Sequence, residues 1–180
     1  MITEAGPFSI TARTFMSSAH TPEFDRATEA VIATLLPGDN SLAAWRLRGA
    51  VLSHRDWIAT NEARSLLRQR WSDLFREWDV VLCPPMATPA FPHDQGLDRE
   101  ARRIEIDGQL YPYEDQTAWP SVATLPGLPV TVMPIDRLDS GLPIGVQIIG
   151  PYLEDRTTIA FAEFIEREFG GFTPPPGYMT

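Results

Sequence analysis

The basic residues of this sequence set the first limit on its chemistry. All 15 of them are arginine, and the 180 residues contain no lysine. Arginine keeps its proton in proteins because its pKa lies above about 12, so it cannot replace a lysine that must lose a proton to act as a base. A reaction that depends on a neutral lysine base is therefore excluded for these residues alone.

Other reactive side chains are few and scattered. Cys83 and His93 could be combined as thiolate and base, but Cys83 ends an apolar run, which predicts a buried and unreactive thiol. The three histidines, which include His20 and His54, have no partners at ligand spacing, so no zinc site is predicted. The run from His54 to Asp56 copies the kinase catalytic triplet without a glycine-rich loop, which indicates coincidence. We expect no metal and no cofactor.

Charge and composition narrow the classes of function. A net charge of −9 argues against binding to nucleic acid, which needs a concentrated basic surface. No 18 apolar residues run together, so no association with a membrane is predicted. A single cysteine cannot form an intramolecular disulfide, and no targeting segment is recognised, so we expect a reducing, cytoplasmic setting.

Helical periodicity covers three stretches of the chain. The first stretch is residues 22–36, which follow a threonine and precede a Pro-Gly pair. The second is residues 41–78, with a break expected near Gly49 or around residues 53–56. The third is residues 155–169, where four apolar side chains are predicted to face inward: Ile159, Ala162, Ile165 and Phe169.

Strand signals are short and apolar on both sides, which predicts burial. They fall at residues 79–83, 128–135 and 143–150, while Asp107-Gly108 between apolar residues predicts a surface hairpin. The sequence therefore predicts an α/β fold with a partial mixed β-sheet and flanking helices. So few and such apolar strands would leave an edge or a face uncovered, so part of the sheet is expected to come from elsewhere.

Three apolar, proline-containing blocks follow one another in the second half of the chain: WDVVLCPPMATPAFP at residues 78–92, LPGLPVTVMPI at 125–135 and GLPIGVQIIGPYLEDRT at 141–157. In this order they resemble the carboxyl-terminal portion of the amidase signature family. In the last block, we expect Gly145 to permit close approach of a neighbouring backbone and Gln147 to be a satisfied structural polar group. The resemblance implies that residues 41–180 form one amidase-like unit and leaves residues 1–40 as an unassigned segment plus a helix.

The resemblance also implies a mechanism whose key residues are missing here. Enzymes of this family use a serine nucleophile from a glycine- and serine-rich stretch, a second serine on a cis peptide and a deprotonated lysine. The pair Ser17 and Ser18 is flanked by Met16 and Ala19 instead of glycines, so it does not match that stretch. No catalytic residue is therefore predicted in this chain.

The same resemblance points to residues that would bind substrate. By their position in the family pattern, the loop after the first strand and the helix around residue 119 would contribute to the wall of the substrate pocket. The candidate substrate-binding residues are Met86, Gln116 and Trp119, each weighed against a plain role in the core.

Three hypotheses about function remain open at this stage. The first is the carboxyl-terminal part of an amidase, a hydrolase of carbon–nitrogen amide bonds, which is inactive alone and needs an amino-terminal amidase half. The second is a non-catalytic interaction protein on an amidase scaffold, which associates with itself or another chain through its uncovered sheet. The third is an independent hydrolase that uses Cys83 or a carboxylate.

Overall fold

The computed structural model describes residues 21–98, 101–175 and 177. Within it, the chain forms two compact units. One takes in the residues up to Trp71 together with Thr124–Pro126, and the other takes in Ser72–Ala123 and the residues from Gly127 onward. His20, Ser17 and Ser18 lie outside the described residues.

Three helices form the amino-terminal half of the described chain: α1 Pro22–Ile32, α2 Leu42–Ala50 and α3 His54–Leu74. The hydroxyl of Ser41 accepts a hydrogen bond of 3.2 Å from the Ala44 backbone N–H at the start of α2, and the Ser53 hydroxyl accepts one of 3.1 Å from Asp56 N–H at the start of α3. These caps explain why the long helical pattern divides around Ser53, as predicted. Arg68 in α3 donates to the Pro126 carbonyl at 2.6 Å.

A three-stranded sheet forms the centre of the second unit. Its strands are β1 Val81–Cys83, β4 Val130–Arg137 and β5 Pro143–Ile149, in the order β1-β5-β4. Both pairings are antiparallel, and Ile148 and Ile149 in the middle strand are fully buried. Among the described strands, β1 and β4 each pair on one side only, so the sheet has two open edges. The predicted α/β class is confirmed, with antiparallel pairing between its described strands.

The predicted hairpin is also confirmed. Strands β2 Arg103–Ile106 and β3 Gln109–Pro112 pair around Asp107 and Gly108, which have φ angles of 51° and 76°. Positive φ at both central positions is the geometry that an Asp-Gly turn favours. A 3₁₀ helix, Tyr113–Thr117, and α4 Ala118–Thr124 follow it.

Helix α5, Asp155–Phe169, packs on the sheet through Thr158. The Thr158 hydroxyl lies 2.9 Å from the Thr131 hydroxyl of β4, and the Thr158 side chain is buried. The inward assignment of Ile159 and Phe169 was wrong, since they are 59% and 76% exposed. Ile159 is turned by about 100° from the buried Thr158 and so points away from the sheet, whereas Phe169 lies on the side of Thr158 but is the last residue of the helix. Ala162 and Ile165, which were also predicted to face inward, are half-buried. Among the described residues, no helix is long and apolar enough to cross a bilayer.

Candidate functional site

A loop of residues 84–92 follows β1 and carries the first predicted site residue. Prolines at 84, 85, 89 and 92 fix the backbone φ angle at four of its nine positions. Met86 is exposed and lines a groove of about 610 Å³ between this loop and the turn end of the β4–β5 pair. The other lining residues are Leu82, Cys83, Pro84, Pro85, Ala87, Thr88, Pro89, Ala90, Ile135, Leu138, Pro143, Ile144, Gly145 and Val146.

Gln116 reaches this loop from the 3₁₀ helix and is only 1% exposed. Its Oε1 accepts a hydrogen bond of 3.0 Å from the Ala87 backbone N–H, and its Nε2 donates one of 2.9 Å to the Thr88 hydroxyl oxygen. Gln116 is not among the residues that line the groove. Its carboxamide instead holds the backbone of the loop that carries Met86.

Trp119 lies in α4 with its indole exposed, and its backbone carbonyl accepts a hydrogen bond of 3.4 Å from Gln147 Nε2. The same Nε2 donates to the Cys83 sulfur at 3.1 Å. Gln147 is buried, and these two hydrogen bonds link β5 to β1 and α4, which confirms its structural role. The structure thus brings Met86 and Gln116 together at the loop and places Trp119 outside the lining of the groove.

The opposite wall of the groove was missed by the sequence reasoning. It is built from Ile135, Leu138 and Ile144, which belong to β4, β5 and the turn between them. The sequence did carry a signal, because strands that are apolar on both sides predict a surface that needs a covering or a ligand. Nothing in the sequence, however, indicates that the loop of residues 84–92 lies against this turn.

A second cavity of about 560 Å³ lies on the other side of the same loop. It shares residues 87–90 with the first groove, but the hairpin contributes the charged residues Arg103, Glu105 and Asp107 to its lining. The loop therefore separates an uncharged groove from a charged one. A ligand without charge fits the first groove better than the second.

Reactive groups do not converge at either cavity. Cys83 is a half-buried free thiol whose sulfur faces Gln147, while His93 lines a separate cavity with Arg102 and Tyr113. The described residues contain no group of three metal-ligating side chains. Within the part of the chain that the structure describes, neither cavity places the Cys83 thiol beside a histidine.

The model of the amidase family matches residues 8–159 of this chain. The chain belongs to the amidase family. The match ends within α5, and it takes in residues 8–40, which the sequence alone leaves unassigned.

Two relatives show how the chain compares with longer family members. It is 31% identical over 114 residues to a glutamyl-tRNA(Gln) amidotransferase subunit of Exiguobacterium, a match that covers 63% of this chain and 22% of the relative. It is 28% identical over 124 residues to the same subunit of Rhodospirillum rubrum, covering 69% of this chain and 23% of that one. The chain therefore spans less than a quarter of the curated relatives it matches.

Solved structures show the same fold. A crystal structure of an amidase superposes with a TM-score of 0.63 at 23% identity, covering 92% of this chain and 36% of that one. A bacterial aryl acylamidase of the amidase signature family gives a TM-score of 0.59 at 20% identity, with 91% of this chain and 34% of the other covered. Nearly the whole chain thus has the architecture of about a third of an amidase.

Proposed function

We propose that this chain acts as the carboxyl-terminal part of an amidase and is inactive alone. It supplies scaffold and one wall of a substrate pocket, and hydrolysis of the amide bond needs an amino-terminal half that carries the serine nucleophile and its lysine base. The proposal rests on one combination: a family match over residues 8–159 in a sequence that has no lysine.

The described geometry supports the division of roles between the three candidate residues. Met86 presents an exposed thioether to the groove, where a flexible apolar side chain adapts to ligands of varied shape. Gln116 does not line the groove, but it holds the loop of residues 84–92 in place through two hydrogen bonds. Trp119 offers an exposed indole on α4, next to the contact between Gln147 and Cys83.

A hydrolysis assay tests this proposal directly. Purified chain is incubated with a simple aryl amide beside a complete amidase as positive control, and the same chain is then assayed after co-expression with an amino-terminal amidase half. We expect no hydrolysis from the chain alone and hydrolysis only from the pair. Activity of the chain alone would contradict the proposal, and its loss in Cys83→Ser would assign it to the thiol.

One observation favours the second candidate, a non-catalytic interaction protein on the same scaffold. Leu82 in β1 and Val132 in β4 are 50% and 56% exposed, and both strands have an open edge. Apolar side chains beside unpaired strand edges form a surface that another chain can cover. A stable complex that hydrolyses no amide under any pairing would support this candidate over the first.

A further inference from the structure

The orientation of the Gln116 carboxamide follows from its partners. The Ala87 backbone N–H can only donate, so the atom 3.0 Å from it must be the oxygen of the carboxamide. The nitrogen then faces the Thr88 hydroxyl at 2.9 Å. The hydrogen-bond network itself therefore settles which way this side chain points.

This orientation leaves the Thr88 hydroxyl proton available. A threonine hydroxyl has one proton to donate and two lone pairs that accept, and one lone pair already accepts from Gln116. Within the described part of the chain, no oxygen accepts the Thr88 proton. Thr88 lines the groove beside Met86 and also borders the charged cavity, so its hydroxyl can donate a hydrogen bond into the groove, where the other lining side chains apart from the Cys83 thiol are apolar.

The lining determines which ligand chemistry this donor suits. The protein has a net charge of −9, yet every described residue that lines the groove is uncharged. A charged ligand would lose hydration there without gaining an ion pair, whereas a neutral ligand would bury apolar surface. Binding sites for small molecules combine such apolar walls with a few placed polar groups.

We infer that Thr88 is a ligand-binding residue that donates a hydrogen bond to the carbonyl oxygen of a neutral amide. The apolar part of that amide packs against Met86 and Ile144 in the groove. This inference rests on the proposed function for the choice of an amide as the ligand. It names the substrate class as uncharged amides with an aryl or alkyl substituent, as opposed to amides that carry a carboxylate or an ammonium group.

Two methyl groups of the protein itself report binding. In protein labelled with ¹³C at the methionine methyls, Met86 lies in the groove, while Met133 is buried in β4 outside its lining and serves as the internal control. The probes are acetanilide, N-ethylaniline, which lacks the carbonyl oxygen, and benzoate, which adds a charge. We expect acetanilide to shift Met86 alone, and N-ethylaniline to bind about three- to tenfold more weakly, as the loss of one net hydrogen bond predicts. Benzoate should also bind more weakly than acetanilide, because its charge loses hydration in the groove without gaining an ion pair.

Two variants separate the hydroxyl from the shape of the side chain. Thr88→Val keeps the shape and removes the proton donor, so it should bind acetanilide and N-ethylaniline equally. Thr88→Ser keeps the hydroxyl and should retain the preference for acetanilide. If Thr88 had a purely structural role, Thr88→Val would bind acetanilide and N-ethylaniline more weakly by the same factor. The ratio of the two affinities is therefore the decisive quantity.

Several results would overturn the inference. These are an unshifted Met86 at saturating acetanilide, equal or tighter binding of benzoate, or an unchanged preference for the carbonyl in Thr88→Val. If the Met86 signal of ligand-free Thr88→Val already differs from that of the parent protein, then the affinities of Thr88→Val are compared with those of Thr88→Ser. None of these results touches the amide-hydrolysis test of the two halves, so failure of this inference and failure of the proposed function remain distinct.

Discussion

Gln116 sets the shape of a loop that lies almost 30 residues before it in the sequence. Replacing it by leucine keeps the bulk but leaves the half-buried Ala87 N–H without its acceptor, which costs about 1 kcal/mol, the lower end of the range for a buried donor. We expect Gln116→Leu to lower the free energy of unfolding in urea and to speed hydrogen exchange at the Ala87 amide. The exposed Gln95 provides the matched control, since Gln95→Leu should change neither quantity. Equal effects of the two variants would refute the role assigned to Gln116.

Gly145 is a second residue whose identity is fixed by its surroundings. A Cβ atom at this position would lie 2.8 Å from the Met133 carbonyl oxygen, a backbone atom of the paired strand that cannot move alone. This contact confirms the close approach expected from the sequence. Gly145→Ala should destabilise the protein by about 1–3 kcal/mol, as overpacking does elsewhere. In the same urea titration, Val132→Ala alters an exposed neighbour and should cost less than about 1 kcal/mol; a larger cost than that of Gly145→Ala would contradict the steric argument.

At the scale of elements, the start of α2 depends on one hydroxyl. Ser41 accepts the hydrogen bond of the Ala44 N–H, and Ala44 is fully buried, so water cannot take over that bond freely. We expect Ser41→Ala to cost about 0.5–2 kcal/mol, the usual range for a lost N-cap. Ser72→Ala is the control, because that exposed serine lies inside the last turn of α3 and not at a helix start. If Ser41→Ala and Ser72→Ala lower the melting temperature equally, then the loss of the N-cap does not explain the effect.

The same cap creates a pH dependence at Asp39. Hydrogen bonds from the Ser41 backbone N–H, and then from its hydroxyl, hold the pKa of Asp39 below its ordinary value of 3.8, with a smaller contribution from the charge of Arg48. A lowered pKa in the folded state stabilises the protein above pH 3.8, and this contribution is lost as the pH falls through the folded pKa. In Ser41→Ala the backbone N–H remains, so the pKa of Asp39 should rise only part of the way to its ordinary value. A ¹³C titration of the carboxyl group measures it, and an unchanged pKa would contradict the hydroxyl's share.

The elements that the sequence predicts well are those with local signals. Proline and serine mark the helix starts, the apolar run of residues 79–83 contains β1, and the Asp-Gly pair marks the hairpin turn. The buried face of α5 was predicted only in part: Ala162 and Ile165 are half-buried, but Thr158 is buried in place of Ile159, because apolarity alone favours the isoleucine. The hydrogen bonds of Gln116 join it to Ala87 and Thr88, which lie 29 and 28 positions earlier in the sequence, and no local pattern predicts such a contact.

At the scale of the whole molecule, the sequence identifies the family, but the residues of the groove come from segments that are far apart in the sequence. The amidase blocks at residues 78–157 coincide with β1, β4, β5 and the start of α5, so the same residues that build the sheet also identify the ancestry. The groove emerges only when the loop of residues 84–92 meets the β4–β5 turn. Fold and ancestry could therefore be predicted, while the lining of the groove depends on tertiary contacts.

The open edges of the sheet make a prediction about the molecule in solution. Val132 is 56% exposed on the edge strand β4, and an edge strand with an apolar side chain invites pairing with another chain. We expect light scattering to show an apparent mass that rises above 20.1 kDa with concentration. Val132→Lys places a charge on that edge and should return the mass to that of a single chain, whereas Leu110→Lys on the exposed hairpin strand adds the same charge and should not. A single-chain mass at every concentration for the parent protein would show that these edges need no partner, and association that survives Val132→Lys would place the contact elsewhere on the surface.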